Sequence, residues 1–258
     1  SNELYGANLM SKQTDLINIP DAITVSGSNV GIGTSSPQEL LHVYGNSPII
    51  YLETSDSRGQ AWQIRSTNGG ASASGTLSFR DEAGLQWLDF ANNGGSNQTK
   101  FYTGGTERMR IDATGAVTMP HQPAFLVAPS GAQSNITVGN EVTVVFGTEI
   151  FDQNADFASN QFTAPVTGRY QLNLTLYVNS LDSASDYYHI KIWTSNRIYS
   201  SVIDPGVLAS DPVYWNTPIA VLADMDAGDI AKVTIKQNNG TAQTDIINET
   251  TFSGYLVA

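Results

Sequence analysis

Cysteine is absent from this chain. Neither a disulfide framework nor a Cys-ligated zinc site can hold it, so stability has to come from packing or association. No apolar run approaches the roughly 20 residues that cross a bilayer as a helix, and no signal-peptide pattern opens the sequence. Membrane insertion is not expected. Basic residues are scarce: 12 Lys and Arg stand against 24 Asp and Glu, a formal net charge of −12. Such a surface repels DNA and RNA, and no basic run along the sequence offsets it. No long segment shows helical periodicity either.

Short strand-forming runs rich in Val, Ile, Thr, Tyr and Phe are present, broken by Gly, Asn-Gly, Asp-Ser and Pro. Charged residues make up only 14% of the chain and glycines number 23, which is the composition of many strands joined by turns. The fold class expected is all-β. Residues 1–22 read as an N-terminal arm that Pro20 brings to a stop. Residues 23–48 read as a shaft or neck segment. Ile23 and Val25 alternate up to a turn at Ser26-Gly27-Ser28-Asn29, and Val30 and Ile32 alternate after it. Ser36-Pro37-Gln38-Glu39 then has the form of a capping box, which predicts one helical turn before a strand over 40–44. A strand pair this small is marginal alone, so its apolar side chains need neighbours, and other copies of the chain are the nearest source.

Residues 49–119 carry six strand-like runs and predict a small antiparallel module, with Trp62/Ile64, Leu77/Phe79 and Met109/Ile111 in alternation. It closes on a hairpin with an Ala-Thr-Gly turn that echoes the turn at 26–29. Residues 120–123 (Pro-His-Gln-Pro) read as a stiff linker. Residues 124–258 hold about nine runs, the pattern of a β-sandwich or jelly roll. Tyr170, Leu172, Leu174, Leu176 and Val178 alternate strictly, so one face of that strand is buried. Gly168 supplies a tight turn into it, and Gly228-Asp229 a turn between two later strands. The last strand is apolar on both faces, with Phe252, Gly254 and Leu256 on one side and Tyr255 and Val257 on the other. It is therefore expected to be central or to lie against a neighbouring subunit.

Two stretches resemble known families. Asn29-Val-Gly-Ile-Gly-Thr-Ser-Ser-Pro37 with Leu41-His-Val43, and Thr106-Glu-Arg-Met-Arg-Ile-Asp112 with Gly115, look like the shaft segments of bacteriophage tail fibres. In those fibres the two motifs often run consecutively; here the middle module separates them. Phe162-Thr-Ala-Pro165 with Gly168-Arg-Tyr170, then Leu222 to Ala227-Gly228-Asp229-Ile230, then Phe252-Ser-Gly254-Tyr255-Leu256 resemble the complement globular-head and tumour-necrosis-factor-like jelly roll. No collagen-like stalk precedes that head. Together the resemblances imply a homotrimeric fibre on a virion, outside the cell. Its C-terminal head would hold a host-surface glycan or protein, and the rest would meet other tail components. A fibre-borne polysaccharide depolymerase and a purely structural trimerisation component are the alternatives.

The candidate site residues are aromatic. In YYHIKIW, Tyr188, Ile190 and Ile192 share one face, while His189, Lys191 and Trp193 share the other and meet solvent, a partner subunit or a ligand. Tyr199, Tyr214 and Trp215 lie in or beside polar connections; exposed rings stack on sugars at low entropy cost, and the competing reading is that they pack in the core or the trimer interface. Asp204, Asp211, Asp224 and Asp226 are the loop carboxylates that a structural calcium ion would use, against solvated turn residues and no cofactor. Gly31-Ile-Gly33 lacks the third glycine and the βαβ setting of a nucleotide loop and reads as a fibre turn. His42, His121 and His189 have no metal-ligand spacing, although His121 at a threefold axis would meet its two copies. Asp81, Glu82 and Asp89 are the carboxylates from which a glycosidase pair could be drawn; no enzyme is expected.

Overall fold

The computed structural model of the chain describes residues 23–53, 61–68, 75–93 and 96–258. The expected N-terminal arm lies outside them. The chain folds as two units, Ser1–Pro120 and His121–Ala258.

In the first unit, β1 (Ile23–Ser26) and β2 (Asn29–Ile32) form the expected hairpin, and β3 (Leu41–Val43) adds to β2 in parallel, Val30 opposite Leu41. No helical turn precedes β3. Polar groups that such a turn would use internally go elsewhere: the Pro37 carbonyl accepts from Asn29 Nδ2 at 3.3 Å, the Ser36 amide donates to Thr34 Oγ1 at 3.2 Å, and the Gln38 amide donates to His42 Nδ1 at 3.4 Å. The connection stays extended because it must carry the chain back to run parallel with β2.

Next comes a meander in chain order: β4 (Ile49–Leu52), β5 (Trp62–Asn68), β6 (Gly75–Asp81), β7 (Gln86–Asn93), β8 (Ser96–Thr103), β9 (Thr106–Ile111) and β10 (Val117–Thr118). Every neighbouring pair is antiparallel. Register sorts the side chains by face. One face carries the row Arg65–Ser78–Asp89–Lys100–Arg110. The other carries Ile50–Ile64–Phe79–Leu88–Phe101–Met109 and, beside it, Leu77–Phe90–Thr99–Ile111–Val117.

The second unit is a two-sheet sandwich. Its first sheet runs β13 (Thr148–Asp152), β11 (Ala124–Ala128), β22 (Thr251–Leu256), β16 (Gly168–Asn179), β19 (Tyr214–Met225), with β21 (Asp245–Ile246) also on β16. The second runs β14 (Phe157–Ala158), β15 (Gln161–Thr163), β20 (Ile230–Asn238), β17 (Tyr187–Thr194), β18 (Ile198–Ile203), with β12 (Glu141–Thr143) also on β20. From β15 to β22 the chain passes repeatedly between the sheets, the double Greek key of a jelly roll. The short strands β13, β14 and β21 were not legible as runs.

The core lies between the sheets. Leu172, Leu174, Leu176 and Val178 of β16 meet Tyr188, Ile190 and Ile192 of β17 and Val233 and Ile235 of β20, all buried. Phe125 stacks on Phe162 at 4.8 Å between ring centroids and meets Phe252 edge-on at 5.2 Å. β22 is central, between β11 and β16. Gly254 is there because its neighbours are so close: a Cβ would stand 2.7 Å from Leu172 Cδ2 and 2.8 Å from Phe125 Cε1. Gly168 is needed for a similar reason rather than for a turn, since a Cβ would meet the Ala258 carbonyl oxygen at 2.7 Å. Gly228, at φ +92°, does make the turn expected of it, with the Asp229 amide donating to the Asp226 carbonyl at 2.9 Å.

One end of the sandwich is held by a buried polar cluster. The Asp182 carboxylate accepts the amides of Ala184 (2.9 Å), Thr241 (2.5 Å) and Ala242 (2.8 Å), tying the β16–β17 loop to the β20–β21 loop. Tyr188 Oη accepts the Asp182 amide at 2.9 Å and lies 2.6 Å from Thr244 Oγ1. Burial alone would raise the Asp182 pKa, but the amides of Ala242, Ala184 and Thr241 outweigh it and hold the carboxyl below its usual value.

Candidate functional site

Two kinds of surface stand out, one suited to association and one to ligand binding. The meander of the first unit is open on its apolar face. Ile50, Leu52, Trp62, Leu77, Phe90, Phe101, Ile111 and Val117 are each 37–55% exposed, and Ala61 is the unit's one buried apolar residue among those described. Trp62 and Trp87 pair at 5.6 Å. The opposite, polar face is better sealed: Ser78 and Asp89 are buried under their neighbours. There Glu107 takes Arg110 Nε at 2.7 Å and Nη2 at 2.9 Å, and these bonds depress its carboxyl pKa. Burial, with the Asp89 carboxylate beside it, pushes the Tyr102 phenol up to about 12.

On the head, the outer face of the first sheet is almost free of charge. Strand register places Ala124, Tyr255, Gln171 and Leu222 in one row and Phe151, Leu126, Ser253, Asn173 and Ala220 in the next. Tyr255, Leu222 and Phe151 are about half exposed. Charge returns only toward the end of the face, where Asp224 pairs with Arg197 at 2.6 Å.

The outer face of the second sheet is different. β17 alternates so that Tyr188, Ile190 and Ile192 enter the core and His189, Lys191 and Trp193 face out. β20 sets Lys236, Thr234 and Lys232 opposite those three, and β12 brings Glu141 and Thr143 to the far side of β20. Glu141 Oε1 is the hub. It accepts Trp193 Nε1 at 2.8 Å, pairs with Lys191 Nζ at 3.1 Å and accepts the Thr234 hydroxyl. Trp193 Nε1 also reaches Thr234 Oγ1 at 2.9 Å, and Lys191 Nζ sits 5.1 Å from the indole centroid. Burial, then the charge of Lys191, lowers the His189 pKa despite Glu141. Burial opposes ionisation of Glu141, but the bonds from Thr234, Trp193 and Lys191 hold its carboxyl low. A depression of about 240 Å³ opens between Glu141, Thr143, Trp193, Lys232 and Thr234.

The other sequence candidates fall elsewhere. Tyr199 and Trp215 stand on strands beside those connections, half-buried against the core as the packing reading has it, because their partners in the ladder put them on the inward side. Tyr214, at the start of β19, faces outward at 67% exposure. The four loop aspartates are dispersed in local roles. Asp204 caps the short helical turn Pro205–Val207, Asp211 accepts Ser183, Asp224 holds Arg197, and the Asp226 amide donates to Asp229. No group of three metal-ligating side chains forms among the described residues. Of the carboxylates considered for catalysis, Asp81 Oδ1 accepts the Leu85 amide, Glu82 is exposed and Asp89 is buried. His121 is exposed, with its carbonyl accepting from Asn154 Nδ2 at 3.1 Å. Glu141, Lys232 and Lys236 escaped the sequence reading. The alternation of AKVTIKQ marks the two lysines as outward, but only the pairing of β20 with β17 and β12 brings them beside Trp193.

No protein-family model and no curated protein matches the chain. Among solved structures, the globular domain of the zebrafish complement 1qA protein aligns at 17% identity and TM-score 0.41, over 54% of this chain and 98% of that one. Murine APRIL at pH 8.0 aligns at 12% identity and TM-score 0.39, over 53% and 99%. The strand order itself makes the head a jelly roll; likenesses at this identity and score add nothing on function. They also bring no support to the bacteriophage shaft. No helix among the described residues is long and apolar enough to cross a membrane.

Proposed function

We propose that this chain is a non-enzymatic attachment protein: a homotrimeric fibre of bacteriophage type, acting outside the cell as part of a virion tail, whose head binds a host-surface glycan or protein. The observation that carries this reading is the apolar face of the 49–118 meander. A face with Phe90 and Phe101 uncovered is unstable in water, and monomeric proteins rarely show contiguous apolar patches of more than a few hundred Å². Three copies would bury those faces on one another, at a scale of roughly 2,000 Å² or more per obligate interface. The outer face of the first head sheet, nearly free of charge, offers a second contact of the same kind. A depolymerase is less well served, because Asp81 and Asp89 are already engaged or buried.

The test is sedimentation velocity on the full chain at micromolar concentration. Trimers are expected, and Phe90→Asp with Phe101→Asp should abolish them. A folded monomer of the unaltered chain would refute the reading. Adsorption of labelled protein to candidate host cells then separates an attachment head from a purely structural one.

A further inference from the structure

We propose that the outer face formed by β12, β20 and β17 is a binding site for a carboxylate-bearing saccharide. This rests on the attachment reading above and names the ligand class of that head.

The first reason is charge. The chain has five lysines, Lys12, Lys100, Lys191, Lys232 and Lys236, in a background of net charge −12. The fold gathers three of them on this one face, with His189 between. Lys191 is committed to Glu141 and to the Trp193 ring. Lys232 and Lys236 form no ion pair with any described residue, although acidic side chains outnumber basic ones two to one. Two unpaired ammonium groups beside a concavity are suited to an anion.

The second reason is that the concavity is not built for bare charge. Its aromatic wall is fixed in place, since Glu141 and Thr234 both hold the Trp193 indole N–H. A ring held this way is a pre-organised platform for the C–H face of a sugar. Glu141 stands at the edge of the depression with Oε1 occupied by three donors and no bond to Oε2 from any described residue. A free carboxylate oxygen accepts hydroxyl donors and repels dense anions. Phosphate or sulfate polymers would meet that repulsion at every repeat. A uronate or similar acid sugar would not: its hydroxyls can donate to Glu141 Oε2 and Thr143, while its single carboxylate reaches Lys232 or Lys236. The depression of about 240 Å³ suits one sugar ring lying partly out of the surface.

The test uses the full chain and calorimetric titration with oligogalacturonate, oligomannuronate and oligosialate, each beside its carboxyl-reduced form, with dextran sulfate as a bare polyanion. At least one acidic oligosaccharide is expected to bind and its reduced form to bind about tenfold or more weakly, since charge-assisted hydrogen bonds are the strong ones. The double variant Lys232→Gln, Lys236→Gln should lose about tenfold or more by the same reasoning, with its thermal unfolding little changed because both half-buried side chains point out of the sheet and form no ion pair with a described residue. Glu141→Gln should relax the exclusion of dextran sulfate. The proposal is overturned if no acidic oligosaccharide binds, if the double variant binds as well as the parent, or if dextran sulfate binds the parent equally. Adsorption to cells distinguishes the two levels. Parent and double variant adsorbing alike would leave attachment standing and discard this site, whereas a parent that adsorbs to no cell removes both.

Discussion

Replacing Asp182 is expected to loosen one whole end of the head. In Asp182→Ala the amides of Ala184, Thr241 and Ala242 lose their acceptor in a place where the carboxylate is only 1% exposed. An unmet buried donor costs roughly 1–3 kcal/mol, and some water will enter the space, so a loss of about 3–5 kcal/mol is reasonable. Asp182→Asn keeps the shape but turns an NH₂ toward one of the donors, for about 2–3 kcal/mol. The pH dependence has a definite sign. The folded carboxyl lies below its unfolded value of about 3.9, so its contribution is complete above that pH and disappears as pH falls through the folded value. The parent should therefore lead Asp182→Asn fully at pH 7 and lose much of that lead by about pH 2. Urea unfolding followed by the fluorescence of Trp193 and Trp215 measures this, at one fixed protein concentration because association also shifts the midpoint. Exchange of the Thr241 and Ala242 amides reports the same bond locally. A deficit below about 1 kcal/mol for Asp182→Ala, or a lead over Asp182→Asn that is unchanged between pH 5 and pH 2, would refute the reasoning.

Gly254→Ala should cost about 1–3 kcal/mol in urea unfolding, because the new methyl must displace Leu172 or Phe125, and Gly254→Val should cost more. Phe125→Ala, which empties the centre of the aromatic cluster, should cost about 3–5 kcal/mol in the same assay. Leu222→Asp with Tyr255→Asp leaves the core untouched and should weaken association, read as a lower sedimentation coefficient at dilution.

The most sharply legible elements of the head are those whose periodicity reflects a sealed core, while the strands of the 49–119 module were legible from alternation between turn residues without one. Tyr170 to Val178 and Tyr188 to Ile192 alternate because one side of each strand is dry, and that survives in a single sequence. The last strand, apolar on both faces, was expected to be central or to lie against a neighbouring subunit, and it is central. The turn at 36–39 was misread because the capping-box letters describe a local preference, while Asn29 and His42 compete for the same backbone from elsewhere in the chain. For Tyr199 and Trp215 the sequence left both exposure and core packing open, because polar flanking residues suggested connections while ladder pairing sets which way each ring turns. The surface around Trp193 was half visible. His189, Lys191 and Trp193 could be assigned to one face, but their neighbours Glu141 and Lys236 lie about 50 residues away to either side and meet them only through the sheet. Similarly, the sequence showed no basic cluster because the lysines are dispersed along it and concentrated only by pairing.

The place of β22 bears on how the head is made. Residues 251–256 come last among the head's strands, yet they lie between β11 and β16, and β11 is the first. Until they arrive, both flanking strands keep an open edge that invites the wrong partner. Contacts spanning nearly the whole unit are also slow to close. The head therefore cannot complete its first sheet before residues 251–256 have been made, and any chain stopped short of Thr251 would carry two unzipped edges. Crowding of nascent copies, which the proposed trimer would require, is at that stage also its main hazard.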